Sequence, residues 1–276
     1  MIYTREKEYI YLTVEKEESV KEFLSSFCLS GKYLNNLSLN DKRVNMDTLL
    51  KKGDILKIKA YKEGIDYIPD QESIKVVYED DWLLVVDKPK GIIIYPENKD
   101  GNGTLVNRIA KYYTDTRQNF PVRPVHRLDR DTDGLVLVAK SSFIQPKLDN
   151  MILNKEIERY YQCEVEGIIK NSGVIDKPIG RDRHDSHKMR VSKTGKEAKT
   201  IYKVLENKKD TTLVECLLKT GRTHQIRVHF SYIGHPVVND PLYGKVKDDS
   251  GMELTAYKLV FIHPVTNKKT EIVKPV

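Results

Sequence analysis

At 276 residues, with 39% hydrophobic and 32% charged residues, the chain is long enough for one large domain or two unequal ones and too apolar for a disordered segment. A total of 47 Lys and Arg against 40 Asp and Glu leaves a net charge of +7, which favours a polyanionic partner such as nucleic acid without singling one out. The widely spaced Cys28, Cys163 and Cys216 fit neither a disulfide framework nor a Cys-x-x-Cys metal site and point to reduced thiols in the cytoplasm; no apolar run is long enough to span a membrane, and the charged start does not read as a secretory signal.

In chain order, residues 1–60 read as a small α/β module with a helix over 19–27 and a strand over 54–58. Lys32, Lys42, Arg43, Lys51 and Lys52 fall in or near its polar connections, where they meet either solvent or phosphates. The segment Leu39-Asn40-Asp41-Lys42-Arg43-Val44, followed by residues 49–58 with their Lys-Lys-Gly-Asp turn, is similar to the RNA-binding module of a small-subunit ribosomal protein. Residues 61–73, with Gly64 and Pro69, read as a linker, and 74–276 as the main domain. There, strands over 74–78 and 82–86 flank the acidic turn Glu79-Asp80-Asp81, and Lys88-Pro89-Lys90-Gly91 ends the second. A helix is predicted over 104–113, a strand over 135–139, a helix over 143–154 and a strand over 161–166. Two strands over 196–205 and 211–218 join around Lys208-Lys209-Asp210, and a closing pair surrounds residues 263–267. Strands outnumber helices, an α+β pattern.

Three stretches hold residues suited to chemistry. The densest is His126-Arg127-Leu128-Asp129-Arg130-Asp131-Thr132-Asp133-Gly134, directly before an apolar strand. Asp129, Asp131, Asp133 and Gly134 occupy positions one, three, five and six of a calcium loop, but the twelfth falls on Lys140, a cation, and the residues that follow are extended rather than helical. The plainer alternative is a solvated, salt-bridged loop. Next comes Arg159-Tyr160-Tyr161-Gln162-Cys163-Glu164-Val165-Glu166-Gly167, whose tyrosines are equally suited to a core. The last is Gly221-Arg222-Thr223-His224-Gln225-Ile226-Arg227-Val228-His229, a helix with a buried stripe of Thr223, Ile226, Phe230 and Ile233 and with Arg227 at its edge, about 100° around from Ile226.

His126-Arg127-Leu128-Asp129 with Thr132 and Gly134 resembles the active-site signature of the RluA-type pseudouridine synthases. The second stretch is similar to that family's basic-x-Tyr-x-Ala-x-Val-x-Gly strand, and the third to its Gly-Arg-x-His-Gln-Ile-Arg-Val-His helix. Weaker likeness extends over residues 74–264, with departures at Asp87, Tyr95, Asp133, Cys163 and Thr255. The resemblance implies a mainly antiparallel mixed sheet with flanking helices and a central RNA cleft. It implies isomerisation of uridine in structured RNA, ribosomal RNA ahead of transfer RNA, with no metal and no other cofactor. Carried over, Asp129 acts on the ribose as nucleophile or base, Tyr161 stacks on the uracil, Arg227 pairs with Asp129, and Arg127 enters the RNA stack. His126, Arg222, His224 and Gln225 are expected around the RNA, with Lys32 and Arg43 adding affinity from the first module. A cytoplasmic monomer without membrane contact is the expected setting. The competing readings are a non-catalytic RNA-binding or ribosome-assembly factor, which would not need Asp129, Tyr161 and Arg227 together, and a glycoside hydrolase, which lacks a second acid here.

Overall fold

In the computed structural model, which describes residues 2–60, 64–98 and 101–275, two sheets carry the fold. The first module contains β1 (Ile2–Glu6), β2 (Tyr9–Thr13), β3 (Glu18–Ser19), α1 (Val20–Ser26), β4 (Leu37–Leu39), β5 (Lys42–Arg43), β6 (Leu49–Leu50) and β7 (Ile55–Lys59). Its main sheet runs β1-β2-β7-β4-β5, every pair antiparallel. Helix α1 starts where Ser19 and Glu22 cap each other, Ser19 Oγ accepting the Glu22 amide at 3.2 Å and Glu22 accepting the Ser19 amide at 2.7 Å. It buries Val20, Phe23 and Leu24, one helical face, in the apolar cluster that also holds Ile10 and Leu12 of the sheet.

The main domain adds β8 (Lys75–Glu79), β9 (Leu83–Lys88), α2 (Leu105–Asp115), β10 (Arg123–Pro124), β11 (Asp133–Ala139), α3 (Gln145–Leu153) and β12 (Glu158–Glu166). There follow β13 (Gly173–Asp176), β14 (Ile179–Arg181), β15 (Met189–Val191), β16 (Lys199–Asn207), β17 (Thr211–Leu218), α4 (Gln225–Tyr232), β18 (Leu254–Ile262) and β19 (Lys269–Val273). A ten-stranded sheet runs β13-β16-β17-β12-β18-β11-β9-β8, with β10 beside β11 and β19 beside β18. The pairing of β11 with β18 is parallel and the others are antiparallel, so the sheet is the expected mixed α+β one. Strands β9 and β11 are covered on both faces, which is why they read as the unbroken runs Leu-Leu-Val-Val and Leu-Val-Leu-Val-Ala; β17 has one wet face and alternates.

The two sheets share one apolar cluster. Phe143, fully buried, lies 4.5 Å from the Phe27 ring and 5.8 Å from both Tyr33 and Trp82, and Tyr3 meets Trp82 edge-on at 5.1 Å. The segment read as a linker is fastened down rather than free: the Ile68 carbonyl accepts from Asn107 Nδ2 at 2.7 Å, and Asp66 accepts the Val122 amide at 3.0 Å. Its residues 61–63 lie outside the described residues.

Three departures from the family pattern turn out to be neighbours. Thr255 Oγ1 donates to Asp133 Oδ1 at 2.8 Å, and Lys274 bridges Asp133 and Asp87, the latter at 3.0 Å. The one-sided stripe expected for the third motif is not what forms. Helix α4 begins at Gln225, leaves Thr223 exposed before it, and buries every residue from Gln225 to Phe230, because β15 and β16 pack against it in addition to the pocket wall.

Candidate active site

The catalytic-loop candidate, residues 125–132, is a connection between β10 and β11 that is pinned from behind. The Arg130 carbonyl accepts from the Gly91 amide and from Lys88 Nζ, both at 2.9 Å, and Lys88 Nζ also donates to the Pro89 and Ile92 carbonyls at 2.9 and 2.8 Å. With all three protons used, Lys88 tolerates complete burial, although burial pushes its pKa down to about 8. On the β11 side, His126 Nε2 accepts the Leu137 amide at 3.2 Å and the Val125 amide donates to the Leu137 carbonyl at 2.8 Å. At Gly134 the chain takes a positive φ of 114°, and a Cβ there would lie 2.2 Å from the Ala256 carbonyl oxygen of β18. Glycine is what lets the loop turn directly into the parallel pairing.

Asp129 emerges from this loop into a cavity of about 380 Å³, walled opposite by Tyr161 of β12 and by Arg222, His224, Gln225 and Arg227 around the start of α4. Tyr161 follows a β-bulge at Tyr160, which aims it, with Cys163 and Val165, at the buried face of β12. Burial raises the pKa of its hydroxyl, with Asp129 adding to the shift and Arg159 opposing it, so it is a phenol at neutral pH. Arg159, two residues earlier, lines the same cavity, and the absence of a side chain at Gly221 leaves room for its guanidinium: a Cβ there would lie 3.0 Å from Arg159 Nη1.

The Asp129 side chain is 20% exposed and reachable, whereas that of Arg227 is 3% exposed. Arg227 Nη1 stands 3.6 Å from Asp129 Oδ2, and His224 Nε2 stands 4.0 Å from the same oxygen. The short contacts of Arg227 go elsewhere: its Nε and Nη2 donate at 2.7 and 2.8 Å to the two oxygens of the fully buried Asp240. Burial opposes the guanidinium charge, but the hydrogen bonds and charge of Asp240, with Asp129 behind them, outweigh it and raise the Arg227 pKa further.

Other predicted residues separate into two groups. Arg127 is exposed at the cavity mouth beside Asp129, and His126, Arg222 and His224 line the wall. Gln225 lines it too, but its amide is engaged internally, accepting from Thr220 Oγ1 and the Arg222 amide at 2.7 and 3.0 Å and donating to the Lys199 carbonyl and Thr200 Oγ1 at 3.1 and 3.0 Å. It shapes the turn into α4. Lys32 and Arg43 are exposed on the first module, outside this cavity.

A family model for RNA pseudouridylate synthase matches residues 82–232, which contain Asp129, Tyr161 and Arg227. The chain belongs to the RluA-type RNA pseudouridine synthases. This synthase is 41% identical over 244 residues to the Bacillus subtilis protein called Uncharacterized RNA pseudouridine synthase YlyB, covering 86% of this chain and 80% of that one. It is 33% identical over 269 residues to ribosomal large subunit pseudouridine synthase D of Vibrio cholerae, covering 92% and 82%. Among solved structures, human RNA pseudouridylate synthase domain containing 1 superposes with a TM-score of 0.63 at 26% identity, over 74% of this chain and 84% of that one. The synthase is therefore an isomerase acting on RNA. Its site contains two residues that the sequence reading missed, Asp240 and Tyr243. They lie in the loop between α4 and β18, where Asp-Pro-Leu-Tyr-Gly reads only as a turn. The signal for Asp240 was an acid within one loop of a buried-helix arginine.

Proposed function

We propose that the synthase converts uridine to pseudouridine in large-subunit ribosomal RNA, with Asp129 as the carboxylate that acts on the ribose. The observation that supports this most is the convergence of Asp129, Tyr161 and Arg227 on one cavity from a loop, a strand and a helix far apart in sequence. A pure RNA binder needs phosphate contacts and no such enclosed carboxylate. In this reading, the exposed Arg127 occupies the stack vacated by the flipped nucleotide, and Tyr161 presents its ring face to the uracil. Asp129, as nucleophile or base, promotes cleavage of the glycosidic bond; the uracil turns in place, and its carbon five rejoins the ribose. Substrate and product are isomers, so no net electrons and no atoms have to be supplied, and this reading assigns every step to side chains. The large-subunit target is supported by the Vibrio cholerae relative's name, and the exposed Lys32 and Arg43 are suited to phosphates of a folded RNA. Mapping pseudouridines in ribosomal and transfer RNA from cells with and without the gene tests it. Loss of large-subunit pseudouridines is expected, and loss confined to transfer RNA would overturn the assigned target.

A further inference from the structure

His224 stands at the turn into α4 with its ring between two polar groups. It precedes α4 with φ 56° and ψ 24°, the left-handed region, where glycine or asparagine sits more easily. Nδ1 of His224 lies 2.9 Å from the Tyr243 hydroxyl, and the rings meet edge-on at 5.7 Å; Nε2 faces Asp129 Oδ2 at 4.0 Å.

The hydrogen-bond order favours one place for the proton. The Met189 amide of β15 donates to the Tyr243 hydroxyl oxygen at 2.7 Å, which leaves the hydroxyl proton available for His224 Nδ1. Nδ1 then accepts, and the ring proton sits on Nε2. The opposite tautomer would turn a lone pair towards the Asp129 carboxylate. Burial lowers the His224 pKa, Arg227 and Arg127 adding to it while Asp129 and Asp240 oppose it, so the ring is neutral at pH 7. Tyr243 also lies under the Arg227 guanidinium, 5.2 Å from its ring centre, and so touches both groups that face Asp129.

We propose that His224 is a positioning residue for Asp129, with Tyr243 fixing it as the Nε2–H tautomer so that a directed neutral donor stands beside the Arg227 charge. This rests on Asp129 being the reacting carboxylate. A guanidinium attracts a carboxylate in many rotamers; a fixed N–H selects one. The 4.0 Å gap closes to hydrogen-bond length with a shift of about 1 Å, and catalytic contacts commonly tighten when substrate binds.

The test uses the full chain with Tyr243→Phe, which keeps the ring under Arg227 and removes only the hydroxyl, and with His224→Gln and His224→Ala. Nitrogen-15 NMR of the histidines is expected to show His224 protonated on Nε2 alone in the wild type and to lose that bias in Tyr243→Phe. Single-turnover conversion of a substrate RNA is expected to fall about tenfold in Tyr243→Phe with RNA affinity within about twofold, and His224→Gln, which retains a donor, to convert faster than His224→Ala. An Nδ1–H or cationic His224 at pH 7 overturns the inference whether or not the protein is active. So does a Tyr243→Phe enzyme as fast as an active wild type. A wild type that makes no pseudouridine in any RNA instead overturns the functional reading, which separates the two failures.

Discussion

A carboxylate that attacks or deprotonates a ribose has to stay ionised and aimed while keeping a lone pair free. With Asp129 in the proposed role, the site meets both needs by giving the tight bidentate bonds of Arg227 to Asp240 and leaving Asp129 at 3.6 Å. Without Asp240 a buried guanidinium would be left short of its counter-charge, a loss of about 3–5 kcal/mol. Asp129, Tyr161 and Arg227 were legible because each sits in a dense motif beside a strong apolar strand or helix; Asp240 and Tyr243 were not, because a single acid and a single tyrosine in a turn have no periodicity to mark them. The departures at Asp133 and Thr255 compensate each other. Asp133→Ala and Thr255→Val are therefore expected to couple by about 1 kcal/mol in a double-mutant cycle of urea denaturation, and strict additivity would contradict the pairing. His126 supplies a pH dependence. Burial first, with Arg159 adding, lowers its pKa to about 3, against about 6.5 in the unfolded chain. The unfolded state binds the extra proton between these values, so the stability is fully present above pH 6.5 and drains away as pH falls towards 3. His126→Gln, which keeps an acceptor for the Leu137 amide, should lose less urea resistance than the wild type between about pH 7 and pH 5; equal losses would contradict the assignment.

Elements rather than single residues decide where these groups point. The long double-covered strands β9 and β11 and the helices α1, α2 and α3 were readable from apolar runs and 3.6-residue spacing. The hairpin of β14 and β15 was not: each strand has three residues, and the connection is crowded with polar groups whose pairing shows only once Asp182 accepts the His184 and Asp185 amides at 2.8 and 3.3 Å. The start of α4 was misplaced because Gly221 to His224 form a turn held by Gln225, which sequence spacing cannot distinguish from a first helical turn. The junction of loop and β11 depends on Gly134, where both the positive φ and the contact with the Ala256 backbone forbid a side chain. Gly134→Ala is expected to cost about 3 kcal/mol or more and to move the loop holding Asp129. Calorimetry or urea denaturation checks it, and a change below about 0.5 kcal/mol would contradict the register of β11 with β18.

Across the whole chain, the first module is docked on the main domain rather than tethered to it. Phe143 and Trp82 are covered by Phe27, Tyr33 and Tyr3, so removing residues 1–60 would expose a core and confuse stability with RNA binding. The RNA role proposed for it is better tested on the surface. Replacing Lys32 and Arg43, both exposed, with Ala should leave thermal stability unchanged, weaken RNA binding and lower the salt slope by about 0.7–0.9 for each phosphate left without its cation; an unchanged affinity and slope would exclude the module from the RNA interface. The net charge of +7 suggested a polyanion, but only the three motifs together indicated chemistry upon it. Whether Asp129 performs that chemistry on a bound RNA is decided by single-turnover conversion with Asp129→Asn, which keeps the side-chain shape and removes the charge. The expected outcome is a folded protein that binds RNA at least as tightly as the wild type and converts uridine slower by about 10³-fold or more. Conversion at close to the wild-type rate, with carry-over enzyme excluded, would remove Asp129 from the role of reacting carboxylate.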